Sequence, residues 1–288
     1  HESQADADAG IDAVATPSSY TNISNPQVLY VRLESLINGC YATRTFNLIV
    51  NTPPTTVVTP TPLEVCEDLG ETVGDPGFGF TEFDLTQKNN EITGNNPNLE
   101  VSYFETQADA ENNTNVIADP MAYTNMMIGG AAANPQTLFV RVTDPNTGCA
   151  AFTTLTIRVL PNPSPTPSDN LPTLALCDDN NSGDEIEVFD LTQNELLILN
   201  GESGNVVTYH TDPLEANSGT NAIADPMNFS NTQGNQTIYV RVTNATTGCY
   251  ELVDFDIIVN PLPVATTSLT DLIGCELNTD GFIACDLT

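Results

Sequence analysis

Three features of the sequence predict an all-β fold of tandem two-sheet sandwiches. The first is a recurring segment. Tyr239-Val240-Arg241-Val242-Thr243 leads through a polar turn to Gly248-Cys249. Phe139-Val140-Arg141-Val142-Thr143 leads likewise to Gly148-Cys149, and Tyr30-Val31-Arg32-Leu33-Glu34 to Gly39-Cys40. An alternating strand, a polar turn with Gly and a second alternating strand form a hairpin signature. The three cysteines lie 109 and 100 positions apart, a domain-length period that means tandem domains. The second feature is period-two alternation after each hairpin: Phe46, Leu48, Val50, then Leu155, Ile157, Val159, then Phe255, Ile257, Val259. Such alternation marks strands with one buried face. The third is composition. Twenty Pro and 18 Gly among 288 residues, with little helical periodicity, suit short strands and turns. About seven strands in roughly 100 residues point to immunoglobulin-like β-sandwich domains. The domains are not of antibody type, since there is no Trp and the later cysteine follows the last hairpin turn.

In chain order, residues 1–50 read as the C-terminal part of an immunoglobulin-like repeat. Val14-Ala15-Thr16-Pro17 matches Ile117-Ala118-Asp119-Pro120 and Ile223-Ala224-Asp225-Pro226. Residues 51–61 form a Thr/Pro linker, 62–160 a complete repeat, and 161–171 a Pro-rich linker. Residues 172–260 form a second complete repeat, and 261–288 the N-terminal part of the next. The opening and closing partial repeats suggest a window of a longer protein. Proline favours extended backbone, so the linkers read as short, semi-rigid spacers. Within a repeat the order is a strand ending in Cys, an acidic Gly-containing loop, a Phe-Asp-Leu-Thr strand end and a polar segment. The best candidate for a helical turn there is 194–199. A Val-x-Tyr strand, an Ala-Asp-Pro segment and the hairpin follow.

Each complete repeat carries one early and one late cysteine. Cys66, Cys177 and Cys275 are early; Cys40, Cys149 and Cys249 are late. This arrangement leads us to expect one disulfide per complete domain, Cys66–Cys149 and Cys177–Cys249, formed in an oxidising compartment. Cys285 takes an aromatic position and reads as a buried thiol. No Cys-x-x-Cys occurs, which leaves zinc and thioredoxin-like readings weak.

Six basic against 38 acidic residues give a formal charge of −32. That field repels nucleic acid and anionic membrane surfaces. No apolar run approaches the roughly 20 residues of a membrane span. The one candidate cation site is the acidic loop with Asp178, Asp179, Asn181 and Asp184, whose oxygens alternate around a Gly. Calcium needs six to eight oxygens and the EF-hand spacing is not met, so a solvated acidic turn is the competing reading. No other cofactor is implied. Arg32, Arg141 and Arg241 share one repeat position, suited to a cross-strand ion pair or to stacking on an aromatic ring. Asp84, Asp190 and Asp286 share another, as partners of those arginines or as turn caps. No nucleophile elbow, phosphate-binding Gly loop or His-Glu-x-x-His is present. The two histidines, His1 and His210, occupy equivalent positions that Phe104 takes in the middle repeat. We therefore expect no enzyme activity.

The whole succession, from Cys and acidic loop through Phe-Asp-Leu-Thr and Ala-Asp-Pro to Tyr-Val-Arg-Val-Thr and Gly-Cys, covers nearly the full chain. It resembles the tandem repeats of giant cell-surface proteins of gliding Bacteroidota, exported by the type IX secretion system and often ending in a gliding-motility-associated C-terminal domain. The resemblance implies an extracellular protein attached at the outer membrane, like the gliding adhesins. The expected role is a structural or adhesive stalk or filament segment, its partners being other copies or repeats of the same protein. The alternatives are a module that binds surface polysaccharide and the accessory repeats of a secreted hydrolase.

Overall fold

A computed structural model describes residues 1–67, 79–128, 131–181, 183–264, 271, 273–275 and 280–282. It divides into two compact units, His1–Leu160 and Pro161–Thr288. Asp286 and Cys285 lie outside the described residues.

The first unit opens with a short helix, α1 (Gln4–Ala9), and a hairpin of β1 (Gln27–Glu34) and β2 (Tyr41–Leu48). The complete repeat that follows has β3 (Leu63–Cys66), β4 (Glu82–Phe83), α2 (Asn89–Ile92), β5 (Glu100–Phe104), α3 (Gln107–Asn112) and β6 (Tyr123–Thr124). Then come β7 (Met127–Ile128), β8 (Ala131–Ala132), β9 (Gln136–Thr143) and β10 (Ala150–Leu160). Its main sheet runs β3-β10-β9-β5, with the β4–β6 pair as the opposing layer. The second unit repeats this plan with β11 (Leu174–Cys177), β12 (Val188–Phe189), α4 (Glu195–Ile198), β13 (Asn205–His210) and α5 (Pro213–Ser218). It ends with β14 (Phe229–Ser230), β15 (Asn235–Asn244) and β16 (Tyr250–Asn260). Its main sheet runs β11-β16-β15-β13 and its opposing pair is β12–β14.

Alternation in the sequence becomes alternation in burial. In β9, Leu138, Val140 and Val142 face inward, as Ile238, Val240 and Val242 do in β15. Leu155, Ile157 and Val159 of β10 join them with Phe83, Leu85, Ile92, Tyr103 and Tyr123 in one core. Phe189, Leu191, Ile198, Tyr209, Phe255 and Ile257 build the second. Each hairpin turn closes in the same way: the N–H of Asp144 donates to Cys149 O at 3.0 Å, and that of Asn244 to Cys249 O at 2.8 Å. Gly148 and Gly248 sit there at φ 73° and 77°, where a Cβ would be strained.

Both linkers dock on the sandwich that follows them instead of hanging free. The N–H of Val57 donates to Ile92 O at 3.1 Å, and that of Thr166 to Ile198 O at 3.0 Å. Thr153 Oγ1 donates to Val57 O at 2.9 Å, and Ser168 Oγ to Asp254 Oδ1 at 2.8 Å.

Candidate functional site

The cysteines mark the two ends of each sandwich. First and last strands of a repeat pair in parallel: β3 lies beside the end of β10, with Cys66 opposite Leu160, and β11 beside the end of β16, with Cys177 opposite Asn260. The early cysteine therefore sits at the pole where the chain leaves the repeat. The late cysteine immediately precedes β10 or β16, at the pole where the chain arrives. These strands are 11 residues long, so at about 3.3 Å per residue the two cysteines of one repeat stand roughly 33 Å or more apart. A disulfide needs Cα atoms within about 7 Å.

The pairs Cys66–Cys149 and Cys177–Cys249 expected from the sequence accordingly do not form. Cys66 and Cys249 are disulfide-bonded, whereas Cys149 and Cys177 are thiols, as are Cys40 and Cys275. The count of one early and one late cysteine is right, but a within-repeat bond would have to span the length of the sheet. Cys249 is fully buried, while its free counterpart Cys149 is partly open to solvent.

The repeated arginine braces the late hairpin. Its guanidinium lies over an aromatic ring on the neighbouring strand: Arg32 over Tyr41 at 3.6 Å and Arg241 over Tyr250 at 3.2 Å. In the middle repeat Ala150 takes the tyrosine's place, and Phe152 two residues on serves instead at 5.5 Å. The same guanidinium caps a helix. Arg241 Nη1 donates to Ala216 O and Asn217 O at the end of α5 (3.2 and 2.5 Å). Arg141 meets Ala110 O and Glu111 O, and Arg32 meets Ala7 O and Asp8 O. Orphan carbonyls at a helix C-terminus attract such a cation. Arg32 also pairs with Glu34 at 2.9 Å.

These helices form because their ends are specified. Ser3, Thr106 and Asp212 accept N–H donors as N-caps, and Gly10, Asn113 and Gly219 close the far ends in the left-handed region. Asp84 and Asp190 are turn caps. Asp84 Oδ1 accepts Thr86 N at 3.0 Å, and Asp190 Oδ1 accepts Thr192 N at the same distance.

The acidic loop is organised by its own N–H groups. Asp184 accepts Asn181 Nδ2 at 2.6 Å and the Ile186 N–H at 3.0 Å. Glu187 accepts the N–H groups of Asp179 and Asn180 and the Asn180 amide. Asp178 Oδ2 accepts Gly183 N at 2.5 Å. Asp178 is 1 % exposed, and its Oδ1 has no hydrogen-bond partner. Asp184 thus has both carboxylate oxygens engaged, and Asp178 one of its two. Among the described residues no three His, Cys, Asp or Glu side chains converge on a point that suits a metal.

Several buried polar residues escaped the sequence reading. Asn125 accepts Thr81 N at 3.0 Å and donates to Gly79 O and Ala133 O, tying the loop after the early cysteine to the sheet. Asn231 does the same through Glu187 N and Glu185 O. Gln27, Gln136 and Gln236 recur at one buried position; Gln136 Nε2 donates to the Tyr123 hydroxyl, whose pKa is pushed up to about 12 by burial. Their recurrence in register was the available signal. His210 is fully buried, its Nδ1 at 3.0 Å from Thr220 O and its Nε2 at 3.0 Å from Thr208 Oγ1. Burial holds its pKa below the ordinary value.

Among the described residues no helix is long and apolar enough to cross a membrane. No curated protein matches the sequence. Among solved structures, extracellular domains 3–5 of Drosophila OTK align at 10% identity over 82% of this chain and 71% of that one, with a TM-score of 0.28. Domains EC1–3 of Drosophila N-cadherin align at 14% identity over 84% and 79%, with a TM-score of 0.24. A three-domain titin fragment aligns at 10% identity over 76% and 70%, with a TM-score of 0.26. Likeness of that order says nothing of function. Residues 1–54, 62–165 and 173–263 each match the family described as the Flavobacterium inter-domain disulphide bond domain, and the chain belongs to that family.

Proposed function

We propose that the chain is a load-bearing segment of an extracellular stalk or filament, non-catalytic, and stiffened by covalent ties between successive repeats. One observation carries this reading: the two cysteines of each repeat stand at opposite poles, and the oxidised ones are Cys66 at the departing pole of one repeat and Cys249 at the arriving pole of the next. On this reading they are each other's partners, which the family's description as an inter-domain disulphide bond domain supports. A tie placed there resists peeling of terminal strands and hinging of neighbours together. The charge of −32 keeps a long molecule from collapsing on itself at low salt. Attachment to an outer membrane, export by the type IX system and service in gliding adhesion complete the proposal, which for these rests on the sequence resemblance.

Single-molecule stretching between the two ends tests it. Oxidised protein should withhold the roughly 180 residues enclosed by the Cys66–Cys249 loop, and reductant should release roughly 60 nm of extra length, at about 3.5 Å per residue. Equal lengths with and without reductant would end the load-bearing reading.

A second reading, binding of surface polysaccharide, has one feature in its favour. An open groove of about 350 Å³ in the middle repeat is lined by Val58, Phe139 and Phe152 together with Gln107 and Glu111. A glycan array probed with the Phe152→Ala variant as control decides it.

A further inference from the structure

The groove in the middle repeat exists because one aromatic ring has moved. Tyr41 and Tyr250 open the second strand of their hairpins, and each lies under its arginine. Ala150 stands at that position in the middle repeat, and Phe152 carries the ring instead. Cross-strand register puts Phe152 opposite Arg141 and diagonal to Phe139, which faces Thr154. Two phenylalanines on the outer face of the sheet thus make the floor of the groove, and Phe152 is 49% exposed. Helix α3 makes its wall. Gln107 and Glu111 lie one turn apart on the side of α3 that meets the groove, and Gln107 Nε2 donates to Glu111 Oε1 at 2.7 Å. Among the described residues nothing donates to Gln107 Oε1 or to Glu111 Oε2. The sister repeats spend the same positions on themselves. Asn217 Oδ1, in place of Glu111, accepts the Tyr250 hydroxyl at 2.8 Å, and Gln4, in place of Gln107, donates to Thr43 Oγ1 at 3.1 Å. Asp254, in place of Thr154, accepts Ser168 Oγ of the linker.

We propose that this groove binds a neutral sugar ring of a polysaccharide, its apolar C–H face on Phe152 and two neighbouring hydroxyls donating to Glu111 and Gln107. This rests on the polysaccharide reading above and names the sugar class and the role of each residue. The aromatic floor takes apolar surface out of water. The wall offers oxygen acceptors, one of them a carboxylate, so the ligand must bring donors. A hydroxyl that donates to a carboxylate makes a stronger bond than one between neutral groups. Vicinal hydroxyls of a pyranose meet that demand from one edge of the ring while its face stays apolar. An acidic sugar would set its carboxylate against Glu111, in a repeat with 14 acidic and 3 basic residues over 62–160. A cationic ligand would meet Arg141, whose guanidinium lies over the same Phe152 ring. An apolar side chain would cover the wall acceptors without pairing them.

An array of neutral and acidic oligosaccharides of equal length, probed with the intact 288-residue chain, tests the proposal. Neutral pyranose oligosaccharides should bind, and oligogalacturonate should not. Phe152→Ala should abolish binding. Glu111→Gln keeps an oxygen but loses the charge, and should weaken neutral binding about fivefold. Ala150→Tyr is the sharper variant. Its hydroxyl takes Glu111 as Tyr250 takes Asn217, so binding should fall by a similar factor while the fold is kept or stabilised. Preference for acidic oligosaccharides, or neutral binding unchanged in Glu111→Gln and Ala150→Tyr, would overturn the proposal and leave the polysaccharide reading standing. Absence of binding to every oligosaccharide on the array would end both.

Discussion

Cys149 Sγ sits 3.7 Å from the carbonyl oxygen of Asn51, 98 positions earlier in the chain. The late hairpin of one repeat thus reaches the point where the preceding sheet ends. This closeness between successive repeats contrasts with the strand length that separates the two cysteines inside a repeat. A bond between the two cysteines of one repeat would need the fold to break.

The arginine brace should matter most where its aromatic partner is closest. Arg241→Ala loses stacking on Tyr250 and two bonds to helix carbonyls. We expect a loss of about 2 kcal/mol in chemical denaturation. Arg141→Ala should cost less, because Phe152 is 5.5 Å away. Ala150→Tyr should add about 0.5–1 kcal/mol by restoring the ring that the other hairpins have.

His210 should make the second complete repeat sensitive to mild acid. Its folded pKa is depressed by burial, with the Arg241 charge lowering it further while the Thr220 carbonyl and Glu215 oppose. The unfolded chain takes its proton near 6.5, whereas the folded one takes it only at lower pH. Between those values the unfolded state holds more protons, so stability falls as pH drops below about 6.5 and levels off below the folded pKa. His210→Phe, copying Phe104, should flatten that slope in melts at pH 4–8. An unchanged slope would place the titration elsewhere.

Much of the fold was legible because burial follows sequence periodicity directly: Leu138, Val140 and Val142 alternate in the chain and face one core. The six-residue helices were not read. They are too short for apolar periodicity, and only the Ser3-x-x-Asp6 and Thr106-x-x-Asp109 caps with Gly10 or Asn113 announced them. Without those helices the arginines lacked half their partners. The disulfides were misread for a geometric reason. Counting cysteines per repeat gives their number but not their pole, and the pole depends on β3 pairing with the last four residues of β10.

The capped turn after the Phe-Asp-Leu-Thr strand offers a simple check. Asp190→Ala removes the acceptor for Thr192 N and Thr192 Oγ1 and should cost about 1 kcal/mol. Asp190→Asn keeps an oxygen in place and should cost less. Equal losses would mean that charge, not the cap, matters.

Asp178 separates two readings of the acidic loop. Its Oδ1 is buried without a partner, an unfavourable place for a charge. Asp178→Asn retains an oxygen for Gly183 N and removes the charge, so the variant should melt at or above the parent temperature. The expected gain is up to about 1 kcal/mol, the same with calcium or chelator. A loss seen only with calcium present would instead assign the loop to a cation.

The most direct test of the central claim is a single cut. A specific protease site is placed in the linker at 161–171, the chain is cleaved, and the products are run on a denaturing gel without reductant. If Cys66 and Cys249 join the repeats, the cleaved protein migrates as one covalent species, and adding reductant or substituting Cys66→Ser separates it into two. Separation into two fragments without reductant would contradict the account.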